Sequence, residues 1–319
     1  MYEEKNESGG GQLLNIHRKE IFGFAALMIV FGHSQDFVHS VFPDSLVSVI
    51  GYGGIGVTMF AFLSGIGLWH SLDNNDDILN FYKKRIKRVI IPYLLIAIPF
   101  CLFLDIYEQK DVLLFLQDVT CISYWIKGRG AWYVAWLIPV YAVYPLYGRI
   151  AHNRNWLSAV LAIVEIIMIA LIGIPIRFQS VAAATLAFLI GDFLAKFIKA
   201  NSVWTIRGAA SLILIAPVYF FGILRTQTMY VISFACIGIS LCAILAVVLD
   251  HSIKFIKRML AEVGAVSLES YLFNIYIISV AKVILGNRID SFEGVCGYVC
   301  VAIIGMFLSL LVGKLEKRM

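Results

Sequence analysis

Residues 229–249 read MYVISFACIGISLCAILAVVL, twenty-one positions without one charged side chain. At 1.5 Å per residue such a helix runs about 31 Å, the thickness of a bilayer's hydrocarbon core. Comparable runs recur along the chain. Ten candidate spans cover roughly 20–38, 48–70, 88–106, 132–148, 156–175, 181–198, 208–224, 229–249, 264–285 and 294–313. Composition agrees: 60% of the 319 residues are hydrophobic, 15% are charged and mean hydropathy is +0.84. Soluble domains carry roughly 25% charge. The fold class expected is all-α, a polytopic transmembrane helical bundle of about ten spans.

Charge placement sets the orientation. With the N-terminus in the cytoplasm, nineteen of the 26 Lys and Arg residues fall in inward-facing segments. That bias predicts both termini cytoplasmic and an even number of spans. The net charge of +5 is no sign of nucleic-acid binding, because the basic residues sit between apolar runs and not along one soluble face. Residues 1–19 form a polar tail, expected to be flexible around SGGGQ, and 20–319 form the membrane domain. The tail has no apolar core ahead of a cleavage site, so the first span is expected to stay as an anchor. The loop 107–131 faces outside, and DVLLFLQDVTCISYWI within it suits a short helix on the membrane surface. The six cysteines contain no C-x-x-C pair and read as small buried hydrophobes, so no metal site is expected.

Polar groups at membrane depth carry the functional information, since a charge there costs on the order of 2.5–3.5 kcal/mol. The stretch FAALMIVFGHSQDF, 24–37, ends an apolar run on His33. Counted from Glu20, the histidine lies about 20 Å into the bilayer. A neutral imidazole both donates and accepts, as a general base must. An interhelical hydrogen bond is the plainer alternative. Glu165 stands near the middle of span five; Glu269 and Asn274 lie inside span nine, on what would be a polar face toward a cavity. Span two carries six glycines, which suggests very close packing beside a site. The run KKRIKR that follows serves topology by default. Its sharper reading is an anion grip: in a helix Arg85 and Arg88 place two guanidiniums on one side, suited to the phosphates of a cytosolic substrate.

Four segments in order resemble the acyltransferase 3 family of bacterial integral-membrane acyltransferases. They are FGFAALMIVFGHS, GGIGVTMFAFLSGIGL, YKKRIKRVIIPYL and AWYVAWLIPVYAVYPL. Two later segments, LAFLIGDFLAK and AVSLESYLFNIYI, extend the likeness over nearly the whole chain. The pattern is departed from at Phe22, where Arg or Lys is common, at Thr58, where an acid is common, and at Asn274, where a histidine is common. Arg18 and Lys19, about one turn before Phe22, are the candidates to stand in for the missing cation.

The resemblance implies an O-acyltransferase of the cell inner membrane. It would move an acyl group, in the first instance acetyl, from acyl-CoA to a hydroxyl of a cell-envelope glycan or its lipid-linked precursor. His33 would be the catalytic base, and Arg85 and Arg88 would hold the CoA phosphates. Trp132, Tyr133, Glu165, Glu269 and Asn274 are the candidates to line the acceptor side. Acyl-CoA is then a substrate; no permanently bound cofactor is implied. The alternative is a transporter of a small molecule or glycan lipid, using Glu165, Glu269 and a glycine-broken second span. That reading leaves the paired arginines without a role.

Overall fold

The computed structural model describes residues 10–38, 41–73, 77–154, 156–199, 203–215, 226–288 and 291–316. Among the described residues every regular element is helical and none is a strand. Seven helices are long and apolar enough to cross a membrane: Asp44–Leu72, Ile78–Glu108, Trp132–Asn153, Ile176–Ile198, Gln227–Asp250, Ser267–Leu285 and Phe292–Lys314. Three of the ten expected spans are not among these seven, for separate reasons. The Arg18–His33 helix has 16 residues and tightens into a 3-10 turn at Ser34. The Trp156–Ile172 helix has 17. The expected span 208–224 runs into residues outside those described.

The chain divides into two compact units. The first comprises Met1–Phe22, Val57–Asn74 and Gly148–Glu262; the second comprises Gly23–Gly56, Asn75–Tyr147 and Val263–Met319. In the first, the Gln227–Asp250 helix packs against Trp156–Ile172, Gln179–Lys199 and Val203–Ser211. Gly65 and Gly191 bring two of its helices to backbone contact, because a Cβ on either would overlap a carbonyl oxygen of the other helix. The tail departs from expectation here. From Gly10 it is helical, with Leu13 and Leu14 buried. The leucine pair supplies an apolar anchor that the polar composition around it hides.

In the second unit, Ser267–Leu285 packs along Phe292–Glu316 and against Ile91–Cys101. Phe37, Val38, Val47, Ile50, Ile278, Tyr298 and Val301 form one buried cluster where the chain leaves His33. The span Ile78–Glu108 opens on Asp77, whose carboxylate accepts from the amides of Leu79 and Asn80. It widens into π-helical turns at Ile86–Ile90 and Leu102–Glu108. The first has a local cause. Pro92 has no N–H for the carbonyl four residues back, and the amide just before it, that of Ile91, reaches five residues back to the Ile86 carbonyl. Four cysteines are buried as expected, whereas Cys296 and Cys300 are exposed on their helix.

The expected glycine packing of span two occurs at one crossing in this unit. A Cβ on Gly53 would overlap both the Gly32 Cα and the Met28 carbonyl oxygen. The chain running up to His33 and the Tyr52–Gly54 turn thus touch backbone to backbone. We expect Gly53→Ala to cost about 3 kcal/mol or more, since no flexible side chain can yield. Gly54→Ala, with nothing within 4 Å of its new methyl, should be near neutral. Thermal unfolding of the two variants in detergent checks the contrast.

Candidate functional site

His33 is the last residue of the helix Arg18–His33, one position beyond the glycine crossing. Its ring is partly buried, and its Nδ1 lies 2.5 Å from the Oδ1 of Asn274. Asn274, on the helix Ser267–Leu285, is 1% exposed. Its Nδ2 lies 3.3 Å from the hydroxyl of Tyr298, and that hydroxyl closes on the backbone carbonyl of Val30. Four polar groups from three helices therefore join inside an apolar environment, each with a partner. Lys282 and Asp36 form an ion pair at 2.6 Å, both exposed, one turn beyond the histidine.

Tyr271 lies three residues before Asn274, with its ring centroid 6.3 Å from that of His33. The Tyr271 hydroxyl accepts from the backbone N–H of Tyr133 at 3.2 Å. Tyr133 sits in the first turn of its helix, where backbone donors lack an intrahelical acceptor. The Tyr133 ring meets Tyr271 edge-on at 6.0 Å and Trp132 at 6.0 Å, and stacks on Trp136 at 5.5 Å. Of the residues expected to line the acceptor side, Asn274, Tyr133 and Trp132 are thus linked by contacts to His33. Glu269 is buried in the first turn of the same helix as Asn274, an end that favours a carboxylate. Glu165 belongs to the other unit, where its Oε2 is buried without a hydrogen-bond partner among the described residues.

The two arginines differ more than their spacing suggests. Arg85 is held between the rings of Phe81, 5.1 Å from its guanidinium carbon, and Tyr141, at 5.5 Å. Its Nε is buried and unbonded among the described residues. Arg88 is exposed. The π turn between them admits an extra residue, so three positions cover less of a turn than in an α-helix, and the side-by-side placement expected for a regular helix is altered. Tyr133 and Tyr141 lie on one helix, eight residues or about 12 Å apart along its axis. Aromatic contacts on that helix thus lead to Arg85 at one end and toward His33 at the other.

At Phe22, in the first unit, the ring stacks on Phe60 at 5.1 Å. The guanidinium carbon of Arg18 lies 5.4 Å from the Phe22 ring centroid, and the side chain donates to the Leu63 carbonyl at 2.8 Å. A cation is therefore present over this position from one turn earlier. Thr58 is buried and donates to the Phe234 carbonyl at 3.0 Å.

One cluster went unforeseen in the sequence. Cys101, Asp105 and Asp118 bring three possible ligand atoms within 4.8 Å of one another. Arg129 bonds both carboxylates, Asp105 at 2.8 Å and Asp118 at 3.1 Å, and so already supplies a positive charge to the pair. Tyr93 donates to the Asp118 carbonyl at 2.8 Å. The arrangement reads as a clasp that ties the loop helices Val112–Val119 and Ile122–Lys127 to the end of a span. Between those helices Cys121 takes a left-handed conformation, and burial pushes its thiol up to about 11. An acid at the end of an apolar run was the available signal.

A family model described as an acyltransferase domain matches residues 23–314. A protein of Acidianus two-tailed virus, described as a candidate acetyltransferase, is 31% identical over 149 residues, which is 44% of this chain. The alignment covers 43% of the viral protein, less than half of its length. No solved structure matches the chain.

Arg129→Ala would strand two buried carboxylates. Breaking a fully buried pair costs ~3–5 kcal/mol. Arg129 is itself 38% exposed, so the loss should fall at or below that range. Thermal unfolding, with Arg129→Lys as the partial rescue, measures it.

Proposed function

Because the chain belongs to the acyltransferase 3 family, we propose that it is a membrane-bound O-acyltransferase that uses acyl-CoA, with acetyl as the group transferred. The acceptor is a hydroxyl of a cell-envelope glycan or its lipid-linked precursor. The observation that carries the reading is the polar cluster around His33, which sits among apolar helices and engages the ring through one nitrogen, Nδ1. Its catalytic use follows from chemistry. A hydroxyl is a poor nucleophile until a base takes its proton as it attacks. His33 accepts that proton, the acceptor oxygen bonds to the thioester carbonyl carbon, and the carbon–sulfur bond breaks. The proton then passes from His33 to the departing thiolate, which leaves as the free thiol of CoA.

Arg85 and Arg88 bind the phosphates of the donor. Guanidiniums suit phosphate through paired, charge-assisted hydrogen bonds. The rings that hold Arg85 fix its orientation and keep its charge away from lipid. The basic bias of the inward segments supports both termini in the cytoplasm, ten crossings and an inner-membrane location, with the arginines at the cytoplasmic face. Trp132 and Tyr133 offer ring faces to a sugar or to the pantetheine arm. The viral relative's description supports acetyl as the group transferred.

The test is transfer of labelled acetyl from acetyl-CoA to an envelope fraction by purified protein. His33→Ala should lower the rate by ~10²–10⁴-fold with the fold retained. Arg85→Gln and Arg88→Gln should instead raise the KM for acetyl-CoA, by about 10-fold or more for each charge-assisted hydrogen bond removed. A wild type that moves label across a bilayer without forming an acylated product would favour a transporter.

A further inference from the structure

The hydrogen-bond chain around His33 has a direction, and one end of it fixes the rest. The Val30 carbonyl can only accept, so the Tyr298 hydroxyl gives it its single proton. Toward Asn274 the same hydroxyl can then only accept. The Asn274 amide must therefore turn its Nδ2–H toward Tyr298, which leaves Oδ1 facing His33. An amide oxygen also only accepts, so the proton shared at 2.5 Å belongs to His33 Nδ1. A neutral imidazole carries one N–H. Its Nε2 is then bare, with its lone pair available.

We propose that Asn274 and Tyr298 are positioning residues that lock His33 in its Nδ1–H tautomer and hold Nε2 as the proton acceptor. This deepens the acyltransferase reading and rests on it for the identity of the proton donor, the acceptor hydroxyl. The lock itself is independent of any substrate. Both residues are buried, Asn274 at 1% and Tyr298 at 6% exposure, so solvent does not compete for their bonds. The relay begins and ends on one helix, since Val30 lies three residues before His33. A tilt of the ring is therefore opposed by the backbone that carries it. The choice of asparagine also has a chemical consequence. A neutral amide orients the imidazole without placing a negative charge beside it. The proton taken from the acceptor is then not trapped on His33 and remains available for the leaving thiolate. The charged and titratable groups facing the ring are Asp36, Lys282 and Tyr271, and the first two already pair with each other.

Two measurements test the lock. Protein labelled with ¹⁵N-histidine, with the His33 signals assigned by difference from His33→Gln, reports which nitrogen carries hydrogen. At alkaline pH, where the ring is neutral, wild type should show Nδ1 protonated and Nε2 bare. Tyr298→Phe removes only the hydroxyl that orients the amide and should yield a mixture of tautomers. Activity gives the second reading. Asn274→Leu should lower kcat by roughly 10²–10⁴-fold with KM little changed, as expected when a base loses the partner that sets its tautomer. Asn274→Asp, which still accepts from Nδ1–H, should restore the Nδ1–H tautomer but only part of the activity, because its charge holds the proton on the ring. A wild-type ring protonated on Nε2, or a tautomer unmoved in both Tyr298→Phe and Asn274→Leu, would overturn the proposal. The correct tautomer in a protein that transfers no acyl group would leave the lock standing and remove the acyltransferase reading instead.

Discussion

The site depends on a contact between two backbones. Gly32 and Gly53 meet with no side chain between them, and His33 is the next residue along. Helices in lipid are not driven together by apolar burial, because the tails are as apolar as the side chains. Small residues that permit close approach do so instead. Here close approach also fixes where the imidazole stands. A methyl at this crossing would push the chain aside just before the imidazole, and the bond to Asn274 has little slack at 2.5 Å. Displacements of about an ångström are known to cost two orders of magnitude where reacting groups must align.

The polar groups of the second unit are handled in two ways. Around His33 each donor finds an acceptor, and the series closes on a main-chain carbonyl, so no charge need be buried. Around Arg129 charges are buried, and the guanidinium spans two carboxylates to hold them. On the proposed tautomer, the first arrangement keeps a ring nitrogen free. The second fastens a loop. The exposed Asp36–Lys282 pair belongs to neither class and adds little to stability, because solvent screens it.

Much of this was legible in the sequence for a physical reason. An imidazole at the end of an apolar run is expensive, and so is an asparagine inside one; both stand out, and the fold joins them. Tyr298 does not stand out, because a tyrosine in CGYVCVAII is an ordinary membrane residue until its hydroxyl is placed. Asp105 lay within an expected span and carried the same cost signal as His33, yet its partners come from a loop whose course no periodicity reveals. The grip expected of Arg85 and Arg88 assumed a regular helix, and a proline four residues past Arg88 changes the turn on which they sit. The leucine pair at 13–14 was hidden by composition averaged over its polar neighbours.

The widened turns at 86–90 and 102–108 have one more consequence. The buried residues Phe81, Val89, Tyr93, Ala97, Cys101 and Asp105 fall on a strict period of four, a series that Arg85 completes. On an unbroken α-helix that series would precess about 40° per step, and about 240° from first to last. The looser winding at either end takes back part of this rotation, so a cation and a carboxylate twenty positions apart can look out along one generatrix of the cylinder. Five residues of the wide winding sweep nearly what four do in the narrow one, about 400°. Each wide segment is thus a place where the rod could shed a residue in evolution and keep its phase.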